Sequence, residues 1–191
     1  MPNSKLKRHS VRLASYDYTS PGAYFVTICT KDRKCLFGRI LDSRVFLNDL
    51  GRIVADEWIK TTLVRPYVEL DEYVIMPNHL HGLVILNCGL RRDTARRVPT
   101  KEEFGKPVPS SLPTVIRSFK SAVTKRINIL RETAGGRVWQ GGYFEHVVRS
   151  RADMESLRKY ISENPLRWSL DKNEDQSMLS GCKDYDPEYT G

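Results

Sequence analysis

No stretch of this sequence approaches the roughly 18 consecutive apolar residues that a membrane-spanning helix needs. Residues Met1–Arg12 are basic and polar, with no apolar run behind them of the kind that makes a signal peptide. These two absences argue against a membrane-embedded or exported protein and lead us to expect a cytoplasmic one. Cysteine is sparse: Cys29, Cys35, Cys88 and Cys182 form no CxxC pair, the pattern of scattered thiols rather than of a zinc site or a disulfide framework. There is no internal repeat and no low-complexity block. Acidic side chains are in deficit, 23 against 31 Lys and Arg, so the net charge is +8 and the pI about 9.4. Such a surface concentrates polyanions, although basic charge alone does not identify a nucleic-acid partner. The apolar fraction, 40%, is modest but far from the disordered regime, and 191 residues suffice for one domain with a sizeable core.

What is present is a succession of short, well-punctuated segments. YFVTICT, Tyr24 to Thr30, is rich in β-branched and aromatic residues and reads as a first strand. Arg33 to Leu47 contains Gly38 and reads as a hairpin or an irregular loop. Asn48 is a plausible N-cap, and Leu50, Ile53, Val54 and Trp58 recur at helical spacing, so a helix is expected to about Leu63. VELDEYVIM (Val68 to Met76) and HLHGLVIL (His79 to Leu86) read as two strands of an antiparallel ribbon turned at Pro77-Asn78. Residues 87 to 111 form a polar, proline-containing linker. Leu112, Ile116, Phe119, Val123, Ile127 and Leu130 then mark one face of a second helix, expected to end at Gly135-Gly136. YFEHVVR, Tyr143 to Arg149, reads as a fourth strand. Asp153 is a candidate cap for a last helix with Met154, Leu157 and Ile161 inward, expected to stop near Asn164-Pro165, because proline disfavours helix in the residue before it. The order βαββαβ plus one helix is the ferredoxin-like pattern, an α+β fold with an antiparallel sheet and helices on one face. We expect one domain over residues 1–168, with a basic arm over 1–20, and a polar, poorly ordered tail over 169–191. The fold by itself does not determine function.

Two small constellations carry chemistry. His79 and His81 are two apart in a strand, so both point to one side, about 6.6 Å apart along it, and can converge on one metal ion while Leu80 faces the core. The plain alternative is two ordinary histidines. A nucleotide hydrolase of the histidine-triad kind would need a third histidine where Leu83 stands. Tyr160 and Asn164 are four apart on the last helix and share a face. Each has a structural reading too, as a packing tyrosine and as a helix terminus before proline.

Taken together, these blocks resemble a known family. YVIMPNHLHGLVIL (Tyr73 to Leu86) is similar to the His-hydrophobic-His (HUH) strand of single-tyrosine transposases, with the closest match to the REP-associated tyrosine transposases, relatives of the insertion-sequence 200/605 class. The resemblance continues through SFKSAVTKRIN (Ser118 to Asn128), WQGGYFEHVVRS (Trp139 to Ser150) and LRKYISENPLRW (Leu157 to Trp168), and with the first strand covers most of the chain. It implies that His79 and His81 are metal ligands, that Tyr160 is the catalytic tyrosine, carried by the C-terminal helix, and that Asn164 completes the metal site. It implies a divalent cofactor, Mg²⁺ or Mn²⁺; the latter better suits a mixed nitrogen and oxygen donor set. His146 matches a family position and is expected to be structural or to contact DNA. The implied activity is metal-dependent cutting and rejoining of single-stranded, hairpin-bearing DNA through a 5′-phosphotyrosine. The implied protein is a monomer or a homodimer. The rival readings are a domesticated nucleic-acid-binding protein without strand transfer and a metal-dependent phosphohydrolase of small molecules. For the DNA surface the candidates are Arg117, Lys120 and Arg131 on the second long helix and Arg91, Arg92, Arg96 and Arg97 in the linker, with Lys5, Lys7, Arg8 and Arg12 of the arm. Trp139 and Tyr143 are candidates to stack on unpaired bases.

Overall fold

The computed structural model of the chain describes residues 16–88 and 108–174, apart from the side chains of Ser169 and residues 171–174. In chain order the elements are β1 (Gly22–Cys29), the hairpin β2 (Gly38–Leu41) and β3 (Arg44–Leu47), α1 (Asp49–Val64), β4 (Val68–Met76), β5 (His79–Leu86), α2 (Leu112–Leu130), β6 (Phe144–Val147) and α3 (Arg151–Glu174). Antiparallel pairing of β1 with β5 and β6, and of β4 with β5, gives one sheet of order β4-β5-β1-β6. This is the expected ferredoxin-like frame, with the Arg33 to Leu47 segment resolved as a separate two-stranded hairpin. Asp42 and Ser43 both have positive φ, 48° and 58°, as a two-residue turn that matches strand twist requires.

The period of two divides the sheet into faces. Tyr24, Val26 and Ile28 of β1 and Leu80, Val84 and Leu86 of β5 face α1 and α2, which contribute Leu50, Val54, Trp58, Ile116, Phe119 and Val123 to one core. Gly82 falls on this face, where a Cβ would stand 2.6 Å from the Trp58 indole, so the missing side chain lets α1 close on the sheet. The opposite face is covered by α3 through Phe25, Leu83 and Ile161, with Val74, Met154, Leu157 and Tyr160 packed around them. Helices therefore cover both faces: α1 and α2 one, and the tyrosine-bearing helix the other.

Asn48 caps α1 as expected, its Oδ1 accepting from Gly51 N at 3.0 Å. Three helix termini differ from expectation. α2 stops at Leu130 rather than at the glycine pair, because Glu132 turns the chain with φ 52°. The cap of α3 is Ser150, whose Oγ accepts from Asp153 N at 3.1 Å, while Asp153 accepts from Arg149 N at 3.1 Å. And α3 does not stop at Pro165 but continues to Glu174, past the expected domain boundary at 168. A proline inside a helix removes one backbone hydrogen bond and costs about 3 kcal/mol; beyond it, Arg167 pairs with Glu163 at 3.0 Å and Trp168 packs on His79, contacts that favour continuation. Part of the expected N-terminal arm is anchored too: Tyr18 is buried and its carbonyl accepts from Leu112 N at 3.1 Å. Residues 1–15, the linker with Arg91, Arg92, Arg96 and Arg97, and the tail from 175 lie outside the described residues. Among the described residues no helix is long and apolar enough to cross a membrane.

Candidate active site

The site is built on the α3 side of the sheet. On β5, His79 and His81 point to that side with Leu83, and the β1–β5 register sets Cys29 opposite His79 and Thr27 opposite His81. The two imidazole rings are 4.4 Å apart between centroids. His81 is buried, stacked at 5.3 Å on Phe25, and its Nδ1 shares a 2.8 Å hydrogen bond with Thr27 Oγ1. His79 Nδ1 lies 2.6 Å from Asn78 Oδ1. Burial pushes the His79 pKa down to about 4, with the nearby Arg33 charge adding to the effect and a hydrogen bond with Asn164 opposing it. Burial, then the neighbouring His79, pushes His81 down to about 3. Both rings are therefore neutral at physiological pH, the form in which imidazole binds a metal.

α3 lies across these rings because its stripe of Met154, Leu157, Ile161 and Asn164 recurs at helical spacing toward the sheet. Tyr160, on the flank of the stripe, sets its ring 5.3 Å from His81 and 6.0 Å from Phe25. Its hydroxyl makes no hydrogen bond among the described residues. Asn164 is buried beside His79. The helix is held in this position from its exposed side. Arg158 clamps Asp71 with two hydrogen bonds, of 2.5 and 3.0 Å, at the irregularity where the β4–β5 register shifts. The clamp holds the Asp71 carboxyl below its usual range. At its start His146 Nε2 meets Asp153 at 2.9 Å, tying β6 to the first turn of α3; this is a structural use of His146.

Thr27, Cys29, Arg33, His79, His81, Tyr160, Asn164, Arg167, Trp168 and Leu170 line one cavity of about 550 Å³. The four residues singled out by sequence, His79, His81, Tyr160 and Asn164, thus meet in one place. Arg33, Arg167 and Trp168 were missed. Arg167 was hidden by the expectation that the helix stops at Pro165; its guanidinium carbon lies 5.7 Å over the Tyr160 ring. Arg33 enters from the turn after β1, where it and Asp32 adopt left-handed φ of 54° and 56°, and no periodicity announces it. Among the described residues no group of three His, Cys, Asp or Glu could hold a metal ion, and beside the two histidines Asn164 brings an amide to the cavity lining.

The basic residues of α2 go elsewhere. α2 covers the other sheet face, and Lys120 donates to the carbonyls of Gln140 and Gly142 at 2.7 Å each, burial lowering its pKa to about 8. Lys120 thus braces the loop before β6. Arg117 is exposed and Arg131 partly so. Trp139 is buried between Phe37 and Phe119, and Tyr143 packs against the same core, so both serve the α1/α2 side rather than the histidine face.

No family model matches the chain. A Haemophilus influenzae protein described as uncharacterized is 37% identical over 172 residues, spanning 86% of this chain and 92% of that protein. A second protein of the same organism, named "Putative REP-associated tyrosine transposase", is 26% identical over 151 residues, 79% of this chain and 74% of its own length. Among solved structures, a REP-associated tyrosine transposase bound to a REP hairpin superposes with a TM-score of 0.55 at 19% identity, covering 84% of this chain and 74% of that one.

Proposed function

We infer, for a chain that belongs to one family with its 37%-identical Haemophilus influenzae relative and has the fold of REP-associated tyrosine transposases, an enzyme that cuts and rejoins single-stranded DNA through Tyr160. The observation that carries this reading is the convergence of Tyr160 with two neutral histidines, His81 buried and His79 partly so, in one cavity lined by two arginines, with ring separations of 5.3 Å and 4.4 Å. The preferred substrate is a strand with a hairpin near the cut, a reading supported by the hairpin bound to the structural relative.

In the reaction the Tyr160 oxygen attacks the scissile phosphorus and gives up its proton. The bond from phosphorus to the 3′ oxygen breaks, that oxygen takes a proton, and the 5′ side remains as a phosphotyrosine. Attack by a 3′-hydroxyl on the phosphotyrosine reverses the step and rejoins strands. A tyrosine hydroxyl is protonated at neutral pH, so the phosphate must be made more electrophilic and held in line. Arg33 and Arg167 supply guanidinium groups suited to phosphate oxygens, and α3 aims the hydroxyl. The donor set fits a divalent ion: the neutral imidazoles of His79 and His81 and the amide oxygen of Asn164 would hold it, a nitrogen and oxygen set nearer to Mn²⁺ than to Mg²⁺. When bound, such an ion supplies positive charge at the scissile phosphate.

The test is Tyr160→Phe. Incubated with labelled hairpin-bearing single-stranded DNA, the wild type is expected to give a covalent adduct resistant to denaturation, and Tyr160→Phe neither adduct nor cleavage. Tyr143→Phe keeps both. Mass spectrometry that locates the DNA on any other residue sinks the assignment.

A further inference from the structure

We propose that Asn78 is a positioning residue of this site: its side-chain amide locks His79 as the Nδ1–H tautomer and joins that lock to the turn carrying Arg33. The inference rests on His79 being a metal ligand, but the tautomer is a property of the metal-free protein. Asn78 has two side-chain partners. One is the Arg33 carbonyl, 3.2 Å from Nδ2. A carbonyl only accepts, so the amide nitrogen must face it, and this fixes which end of the amide is which. The other end, Oδ1, then faces His79 Nδ1 at 2.6 Å. An amide oxygen also only accepts, so Nδ1 of His79 carries the proton and Nε2 keeps its lone pair; Asn164, the other side chain that hydrogen-bonds His79, can turn its amide nitrogen to that lone pair or its oxygen to an ion. A ligating imidazole is commonly oriented by such a partner on its other nitrogen.

His81 is different. Its Nδ1 partner is Thr27 Oγ1, at 2.8 Å, and a hydroxyl both donates and accepts, so that contact imposes no tautomer. Of the two rings, only His79 is fixed by its neighbour.

The backbone at Asn78 explains why the side chain can be so exacting. Pro77 holds φ near −65°, which excludes the primed turns that suit two-residue hairpins, and Asn78 is not among the positive-φ residues. The turn is instead stitched to the chain after β1. Thr30 N and Oγ1 donate to Asn78 O at 2.9 and 3.0 Å, and Phe37 N donates to Pro77 O at 3.0 Å. These bonds use main-chain atoms of the turn and survive side-chain substitution at Asn78. The amide therefore sits on a rigid support, between a candidate ligand and the left-handed turn that delivers a candidate phosphate-binding arginine.

Two variants separate the two halves. In metal-free wild type, two-bond ¹H–¹⁵N NMR should show His79 as Nδ1–H. Asn78→Ala should move His79 toward Nε2–H or a mixture and weaken Mn²⁺ binding about 10- to 100-fold. Asn78→Asp keeps an acceptor for His79 and loses the donor to Arg33. It should keep the Nδ1–H tautomer while hydrogen exchange at the Arg33 and Lys34 amides accelerates. A wild-type His79 protonated on Nε2 overturns the proposal, as does a folded Asn78→Ala protein with wild-type tautomer and Mn²⁺ affinity. A wild type that shows the expected tautomer yet binds no Mn²⁺ upholds the lock and refutes the ligand reading instead.

Discussion

His79 and His81 meet the sheet in a setting that decides their charge before any ligand arrives. Each has a folded-state pKa below the unfolded value of about 6.5, near 4 and 3 respectively. Between those values the unfolded chain binds more protons than the folded one, so stability rises with pH in this window. The contribution of both rings is fully present above about pH 6.5 and is lost as pH falls toward 4. Carboxylates with depressed pKa, such as Asp71 and Glu57, act mainly below about pH 5. Urea melts of the metal-free protein at pH 7.5, 6.5, 5.5 and 4.5 should therefore show a progressive loss of stability, one that is much reduced in the His79→Ala, His81→Ala double variant. A flat profile over this range would mean that the rings are not buried as neutral groups. At Tyr160 the expectation is opposite in kind. The hydroxyl has no hydrogen-bond partner among the described residues, so removing it should shift stability by less than about 0.5 kcal/mol while abolishing the adduct.

Two elements decide whether those residues meet. α3 begins at Ser150, whose Oγ satisfies Asp153 N, and Ser150→Ala should cost about 1 kcal/mol in denaturant melts. Because the same turn receives His146 from β6, hydrogen exchange in the variant should rise first in the initial turns of α3; uniform acceleration over the sheet would contradict this assignment. At β5 the tightest point is Gly82. Ala there would place a methyl 2.6 Å from the Trp58 ring and 3.3 Å from Tyr73 Cβ, so Gly82→Ala is expected to destabilise by about 1 to 3 kcal/mol. A neutral effect would show that α1 can back away from the sheet. Strands announce themselves more clearly than helix ends. Val68–Met76 and His79–Leu86 could be read to the residue, since the proline turn bounds one end and alternation the interior. The far end of α3 could not, because Pro165 is a local stop signal overridden by contacts of residues beyond it.

For the whole molecule, the surplus of positive charge matters more than its assignment to one helix. The candidate DNA residues scatter: Lys120 is spent on a loop, Arg117 and Arg131 ride the helix across the sheet from Tyr160, and the linker arginines lie outside the described residues. Among the described residues, Arg33 and Arg167 are the basic side chains that line the site. Binding of a hairpin-bearing single strand should weaken as salt rises, log affinity falling linearly with log salt concentration, since neutralised phosphates release counterions. At one fixed salt concentration a fully paired duplex of the same sequence should bind more weakly. Equal affinity for the two would remove the hairpin preference from the proposed function.

Legible along the chain were the alternation of apolar and polar residues in each strand, the order βαββαβ, and the residue types able to do this chemistry. These are local properties, readable from spacing and side chain alone. Packing settled which face each alternation serves, that α3 covers the face opposite α1 and α2, and that Thr27, Arg33, Arg167 and Trp168 join the histidines. These residues come from β1, the turn after it and the far side of a proline, all distant in the chain from the histidine strand. Only strand register and helix packing bring them together, and neither is encoded in any single stretch of the chain.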